Sequence, residues 1–475
     1  MSDQLPPARR PAFAAINLVS DPIHGYLELT KPLTGDEAVV LGLPDESATE
    51  VDLLDSAWVQ RLRRISQLQS ARWVFPTAEH SRFTHGLGVM HEAGLWGGAL
   101  HSSLVAALRS AEPDAAVPSE GLVVETLRVA GLLHDVGHGP FAHFFDDHVL
   151  ADFAAPPDAR RPDAKALTHE DLSQLIVLRE LGRTIRALRR APLAAPERAR
   201  FGDGEAIDPA WVAFLISKPA IDDPAMPRWV RWLQPLLSGV FTVDNLDYVR
   251  RDAYMTGVAT APVDPDRLRR YAFMTPDGLT LHESGVGALE QFLLTRLYLY
   301  EHVYLHRTVR AIDIDLGEVF APSIRALFGE GSPADRLGDY ADLDEYALLH
   351  QAAMWARGEH LSARPRPGDG TVEPAIGETW RRILLRRPRW RVEREVRAES
   401  ESGTWPEEVL EALGSPEPGR AVVDLAAVDA RRARPGADGR LRIERRDGTP
   451  GPAASDALRR VPRVALVGRR YRRVG

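Results

Sequence analysis

Apolar residues recur at helical spacing through most of the first 360 positions. In "AWVQRLRRISQL" (57–68), Val59, Leu62, Ile65 and Leu68 stand three apart with arginines between them, which predicts an amphipathic helix. "HGLGVMHEAGLWGGALHSSLVAALRS" (85–110) predicts a longer helix of apolar and small residues. "SEGLVVETLRVAGLLHDVGH" (119–138) predicts a third, capped by Ser119 and ended near Gly137 and Gly139. Thr168 suits an N-cap for a helix over 169–190. Residues 233–255 read as helix, turn, helix, and 288–328 as a long apolar-aromatic helical stretch. Before residue 50, Pro6, Pro7, Pro11, Pro22 and Pro32 predict a loop-rich segment. The proline-rich stretches 154–164, 191–210, 219–228 and 362–374 read as surface loops. Beyond them "GRAVVDLAAV", "GRLRIERRDG" and "RVALVGRRYRR" are short β-leaning runs. The expected fold is mainly α: a loop-rich segment 1–50, a helical domain 51–360 and a smaller α/β region 361–475.

Composition narrows the chemistry. The 475-residue chain is 44% apolar but has no apolar run of the ~20 residues a membrane span needs. Its first residues do not read as a signal peptide, and a cytoplasmic location is the expectation. There are no cysteines, so any metal must rest on His, Asp or Glu. A net charge of −8 argues against non-specific nucleic-acid binding. The arginine run "RRILLRRPRWRVERE" (381–395) reads as a solvated face in an arginine-biased chain.

"LLHDVGHGPFAHFFDDH" (132–148) holds four histidines and three aspartates. His134 and Asp135 end an apolar helix, and imidazole with carboxylate suits a divalent first-row ion or Mg²⁺. His138 lies one turn on, while Gly137, Gly139 and Pro140 let the chain turn so that His143 can fold back. His80 and His85 precede this stretch, and Asp244, Asp247 and Asp252 follow it. Each is equally open to a structural reading, Asp247 as a helix-surface partner of Arg251. Asp146, Asp147 and His148 read as the solvated far end; His24, His91 and the remaining histidines read as ordinary hydrogen-bonded residues.

Here the residues carry a resemblance. His85, then His134-Asp135, then Asp244 is similar to the H…HD…D order of the HD superfamily of metal-dependent phosphohydrolases. "DPIHGYLEL", "QRLRRISQL", "FPTAEHSRFTHGLGV", "AGLLHDVGHGPFAH", "THED", "DNLDYVRRD" and "TRLYLYEHVYLHR" follow one another as in its deoxynucleoside triphosphate triphosphohydrolases (dNTPases). That family includes the vertebrate enzyme with SAM and HD domains and its bacterial relatives. The resemblance implies an HD helical fold with His85, His134, Asp135 and Asp244 as ligands of a divalent metal, whether Mn, Mg, Fe or Zn. It implies water attack at the α-phosphorus of a dNTP, releasing triphosphate and a deoxynucleoside. His143 matches the proton donor, and His138 and His169 match phosphate-facing histidines. Arg82 and Arg296 match phosphate arginines, and Gln67 and Leu68 match sugar contacts. Tyr248, Asp252 and Tyr304 match the sugar platform, with His306 near the base. Asn245 stands where the vertebrate enzyme has a lysine. A nucleotide substrate and a homo-oligomer are expected, with no membrane partner and nucleic acid not favoured. The alternatives are an HD phosphohydrolase acting on another nucleotide, and a nucleotide-sensing or nucleic-acid-binding protein.

Overall fold

Thirty residues, Arg82–Ala111, form helix α1 in the computed structural model. The structure describes residues 15–33, 35–36, 48–158, 161, 163–217, 219, 223–359, 370–431, 441–452 and 454–474. Residues 1–14 of the expected N-terminal loop segment and 362–369 of the expected surface loop lie outside them.

The second long helix, α2 (Glu120–Leu133), is the centre of the helical body: every residue from Gly121 to Leu133 is buried. Ser119 caps it by accepting from the Leu122 amide. It packs tightly on α1 because small residues let the backbones approach; a Cβ on Gly131 would lie 2.9 Å from the Val89 carbonyl oxygen. The helix ends at Leu133 rather than near Gly137, with His134 as its C-cap. The chain then turns through Phe141 and Ala142, both at positive φ (60° and 48°), into the short helix α3 (His143–His148). Helix α4 (His169–Arg179) starts in a capping box in which Thr168 accepts from Asp171 and Asp171 accepts from the Thr168 amide. It stops at Arg179 and a separate helix covers Gly182–Ala187, so the helix expected over 169–190 is broken.

Helix α5 (Val243–Thr256) opens in a second capping box, formed by Thr242 and Asn245. Helix α6 (Glu283–Leu299) passes through a π turn (Tyr300–Tyr304) into α7 (Arg307–Phe328), which interrupts the stretch expected to be continuously helical. A wide turn of this kind is found most often at functional sites. Helices α8 (Glu345–Trp355) and α9 (Pro374–Leu384) pack against α7 or against each other.

Strands are few and marginal to this body, as the expected mainly α fold requires. The segment expected to be loop up to residue 50 instead contains an antiparallel hairpin, β1 (Ile16–Asp21) and β2 (Gly25–Thr30). Pro22 does not break a strand because it sits in the turn, where the Asp21 carboxylate accepts from the Ile23 and His24 amides. A second hairpin, β3 (Ala272–Thr275) and β4 (Gly278–His282), precedes α6. The C-terminal part contributes β5 (Trp390–Ser400), β6 (Ala421–Asp429), β7 (Arg442–Glu444) and β8 (Val464–Arg473). Strand β8 pairs with β5 and β6, and β7 adds in parallel to β4, so the tail folds back onto the helical part. The expected helix over 57–68 is cut short: it runs Ala57–Arg61, tightens over Leu62–Arg64, and Ile65 is extended. Buried Arg61 fixes that ending by donating to the carbonyls of His138 and Leu343. Among the described residues no helix is long and apolar enough to cross a membrane.

Candidate active site

His85 comes from the first turn of α1, His134 and Asp135 from the end of α2, and Asp244 from the first turn of α5. The fold brings these four side chains together. His85 Nε2 lies 3.2 Å from Asp244 Oδ1 and 3.8 Å from Asp135 Oδ2. His134 Nε2 lies 3.2 Å from Asp135 Oδ1 and 3.8 Å from Asp244 Oδ1.

Outer hydrogen bonds fix the tautomers. His134 Nδ1 is 2.8 Å from the Gly131 carbonyl, which can only accept, so Nδ1 carries the hydrogen and the neutral ring offers its Nε2 lone pair. That Nε2 is buried and has no hydrogen-bond partner among the described residues. An orphaned imidazole nitrogen facing two carboxylates is what a cation site needs. Two imidazoles and two carboxylates suit a divalent ion. The fit therefore rests on this chain's own donors. His85 Nδ1 donates to Asp247 Oδ2 at 2.8 Å, the carboxylate–histidine arrangement common behind metal ligands.

The electrostatics agree with a surplus of negative charge. Burial works against a charge on His85, but its hydrogen bonds to Asp244 and Asp247 outweigh it and push the ring up to about 10. Burial also opposes ionisation of Asp135, yet His134, Arg82 and His138 hold it well below the carboxylate range. Burial keeps His134 below its ordinary value despite Asp135 and Asp244. Ionised carboxylates thus hold a proton on one imidazole of this buried set, and a cation can take that proton's place.

A second cluster adjoins the first. The His138 and His169 rings stack at 3.6 Å between centroids, and His143 meets them edge-on at 4.8 and 5.1 Å. Asp146 Oδ2 accepts from His169 Nδ1 at 2.5 Å and lies 3.4 Å from His143 Nδ1. The reading of Asp146 as solvated with Asp147 and His148 is therefore corrected: its carboxylate is turned inward by α3 and joins two histidines. His148 stacks on Phe144 at 4.1 Å. Burial disfavours charge on His169, but Asp146 and Glu170 raise it above its usual value. His138 is fully buried, and burial with the nearby Arg82 and His169 charges drives it well below the histidine range. His143 is the exposed member, its side chain 61% accessible.

Both clusters open on one cleft of about 280 Å³. Arg82, His134, Asp135, His143, His169 and Asp244 line it together with Gln67, Leu68, Tyr248, Asp252 and Tyr304. Tyr304 donates to Asp252 Oδ2 at 2.6 Å, and His80 holds Asp252 Oδ1 at 2.8 Å. Four expected site residues stand off the wall. His85 and His138 lie behind it, and Arg296 donates from Nε to the Tyr248 hydroxyl at 2.8 Å. His306 caps α7 by accepting from the Thr308 amide, with its ring against Phe75. The cleft also includes Arg310 and Asp313, which sequence reasoning passed over. Burial pushes Asp313 up to about 6 against the pull of Arg310 and Ser70. Asn245 is wholly buried and off the cleft; its amide oxygen accepts from the Thr242 N–H at 2.7 Å.

Comparison with known proteins matches residues 82–208 to the HD domain. The deoxynucleoside triphosphate triphosphohydrolase SAMHD1 of Homo sapiens is 28% identical over 352 residues, 70% of this chain and 49% of that one. The chain resembles the HD-domain dNTPases. The uncharacterized protein YwfO of Bacillus subtilis is 27% identical over 348 residues, 70% of this chain and 65% of that one. The match thus spans from about half to just under two thirds of these curated relatives. Two solved structures share the fold. A hypothetical protein from Aquifex aeolicus has a TM-score of 0.64 at 22% identity, covering 96% of each chain. A phosphohydrolase from Bacteroides thetaiotaomicron has a TM-score of 0.61 at 20% identity, covering 97% of this chain and 100% of that one. The matched HD domain holds His85, His134 and Asp135, whereas Asp244 lies beyond its end.

Proposed function

We propose that this protein is a metal-dependent phosphohydrolase that converts dNTPs to deoxynucleoside and inorganic triphosphate. The observation that carries the reading is the orphaned Nε2 of His134, buried between Asp135 and Asp244 beside a cleft that also holds His143, His169 and Arg82. His85, His134, Asp135 and Asp244 would hold the divalent ion, which when bound supplies Lewis acidity and lowers the pKa of water.

The remaining work falls to this chain's side chains. A water oxygen attacks the α-phosphorus, forming the new P–O bond and losing a proton to solvent as the bond to the 5′-oxygen breaks. The departing 5′-oxygen takes its proton from His143, whose ring reaches the cleft while Nδ1 faces Asp146, leaving Nε2 to donate. His169, whose pKa Asp146 raises, and Arg82, whose Nε has no partner among the described residues, balance phosphate charge. Gln67, Leu68, Tyr248, Asp252 and Tyr304 form the sugar end, where the hydroxyl of Tyr304 is fixed by Asp252 and leaves little room for a 2′-hydroxyl. Arg296 positions Tyr248 rather than meeting the phosphates itself.

One observation favours a second reading. Asn245 is committed to its capping box, so no cation follows the fourth ligand, which suits a nucleotide with fewer phosphates. Incubation with each dNTP and NTP plus Mn²⁺ or Mg²⁺, with chromatography of the products, separates the two. Triphosphate and deoxynucleoside support the first; turnover confined to mono- or diphosphates, or dNTP cleavage to pyrophosphate, would overturn it.

A further inference from the structure

His24 sits in the turn of the β1–β2 hairpin, remote in sequence from every proposed ligand, yet its side chain is only 3% exposed. Its Nε2 lies 2.7 Å from Asp247 Oδ1, while Asp247 Oδ2 accepts from His85 Nδ1 at 2.8 Å. One fully buried carboxylate therefore joins the hairpin to a residue of the metal quartet.

The surroundings leave that carboxylate little freedom. Arg251 brackets it, Nε on Oδ2 at 2.8 Å and Nη2 on Oδ1 at 2.9 Å. The third Arg251 nitrogen, Nη1, reaches back to Asp21 Oδ2 at 2.8 Å, and the other oxygen of Asp21 accepts from the His24 amide. The circuit Asp21, Arg251, Asp247, His24 thus closes on the hairpin turn itself. Space for it is made on α1: a Cβ on Gly88 would fall 1.9 Å from Asp247 Oδ1. His24 further faces Glu92, 3.8 Å from its Nδ1, and the His91 ring at 5.0 Å.

A carboxylate accepts only, so Asp247 obliges His85 to carry its hydrogen on Nδ1 and to present Nε2 to the quartet. His24, by binding the opposite oxygen, sets where that carboxylate stands and how much of its charge His85 feels. We propose that His24 is a positioning residue for the metal ligand His85, acting through Asp247, which makes the N-terminal hairpin part of the metal centre. The inference rests on the metal reading above. A helix-surface Asp–Arg pair alone would need neither the buried histidine nor the glycine gap.

The test uses the full chain and Mn²⁺, with affinity measured by competition against a fluorescent chelator and thermal melting of the metal-free protein run alongside. His24→Phe, which fills the space without a donor, is expected to weaken Mn²⁺ binding roughly 10–100-fold, in line with outer-shell substitutions at other metal sites. His24→Gln, whose terminal amide can reach the place of Nε2, is expected to restore most of it. Wild-type affinity in folded His24→Phe would overturn the positioning role and leave the metal reading standing, as would a loss that His24→Gln fails to restore. Absence of Mn²⁺ binding by the wild-type protein would instead remove the metal reading, and this inference with it. Should His24→Phe not fold, Asp247→Asn carries the same expected loss, and its wild-type affinity would overturn the role.

Discussion

Asp146 Oδ2 accepts a hydrogen bond from His169 Nδ1 at 2.5 Å, on the edge of the proposed phosphate end of the cleft. Helix α3 supplies the carboxylate and α4 the imidazole, so two local structures 23 residues apart in sequence meet in one ion pair. Its consequence is a histidine whose proton affinity is raised above the ordinary value despite full burial.

Asp146→Asn should therefore lower the His169 pKa, because burial is then opposed only by Glu170 and the more weakly acting Asp135. His169 is a raised base: the pair's stabilisation is present below the unfolded histidine pKa and is lost as pH rises through the folded value. Activity that depends on this charge must fall on the alkaline side. The alkaline limb of kcat/KM against pH is expected to move to lower pH in Asp146→Asn. An unmoved limb would show that the His169 charge is not used.

Glu345 is a buried staple between two parts of the site. Its Oε2 accepts from the Ser66 amide at 3.1 Å and the Phe141 amide at 3.3 Å, and its Oε1 meets Arg72 at 2.8 Å. It thereby ties the loop carrying Gln67 to the bend that delivers His143. Glu345→Gln should cost about 2 kcal/mol in chemical denaturation and raise KM more than it lowers kcat.

Gly137 lies where α4 crosses the turn after Asp135. A Cβ there would stand 2.2 Å from the His169 carbonyl oxygen and 2.5 Å from the Ser173 amide, both backbone atoms that cannot move alone. Gly137→Ala is expected to destabilise by about 3 kcal/mol and to displace His169. Thermal melting and activity read the two effects separately.

Asn245→Lys introduces the lysine that the resemblance leads one to expect here, yet the structure predicts no gain in phosphate affinity. The amide is the third-position partner of the Thr242 cap, and losing its half of the capping box costs about 1 kcal/mol before any ammonium is placed at a buried position. A lowered melting temperature with unchanged KM is expected. Tighter dNTP binding at undiminished stability would show that this side chain turns into the cleft.

Helical periodicity made the body legible, because α1 and α2 bury continuous apolar faces whose pattern stands in the chain itself. His85, His134, Asp135 and Asp244 were legible only through their order, and folding brings them within ion-pair distance of one another. Asp146 was misplaced because its partner His169 lies on another helix, where local polarity says nothing of the contact. The Asp247–Arg251 pair and a hydrogen-bonded His24 are legible locally, but the contact between Asp247 and His24 is not, because 223 residues separate them. The hairpin was hidden by weighing prolines as breakers, although Pro22 falls in the turn between two alternating runs. Cap chemistry was easier to read at Thr168 than at Asn245, where a substitution drew attention to charge instead of to the helix start.

The proposed reaction is attack of water at the α-phosphorus with cleavage of the bond to the 5′-oxygen. Turnover of a dNTP in oxygen-18 water, with mass spectrometry of both products, tests it most directly. One labelled oxygen is expected in inorganic triphosphate and none in the deoxynucleoside. Label in the nucleoside hydroxyl, or its appearance in monophosphate or pyrophosphate, would contradict it.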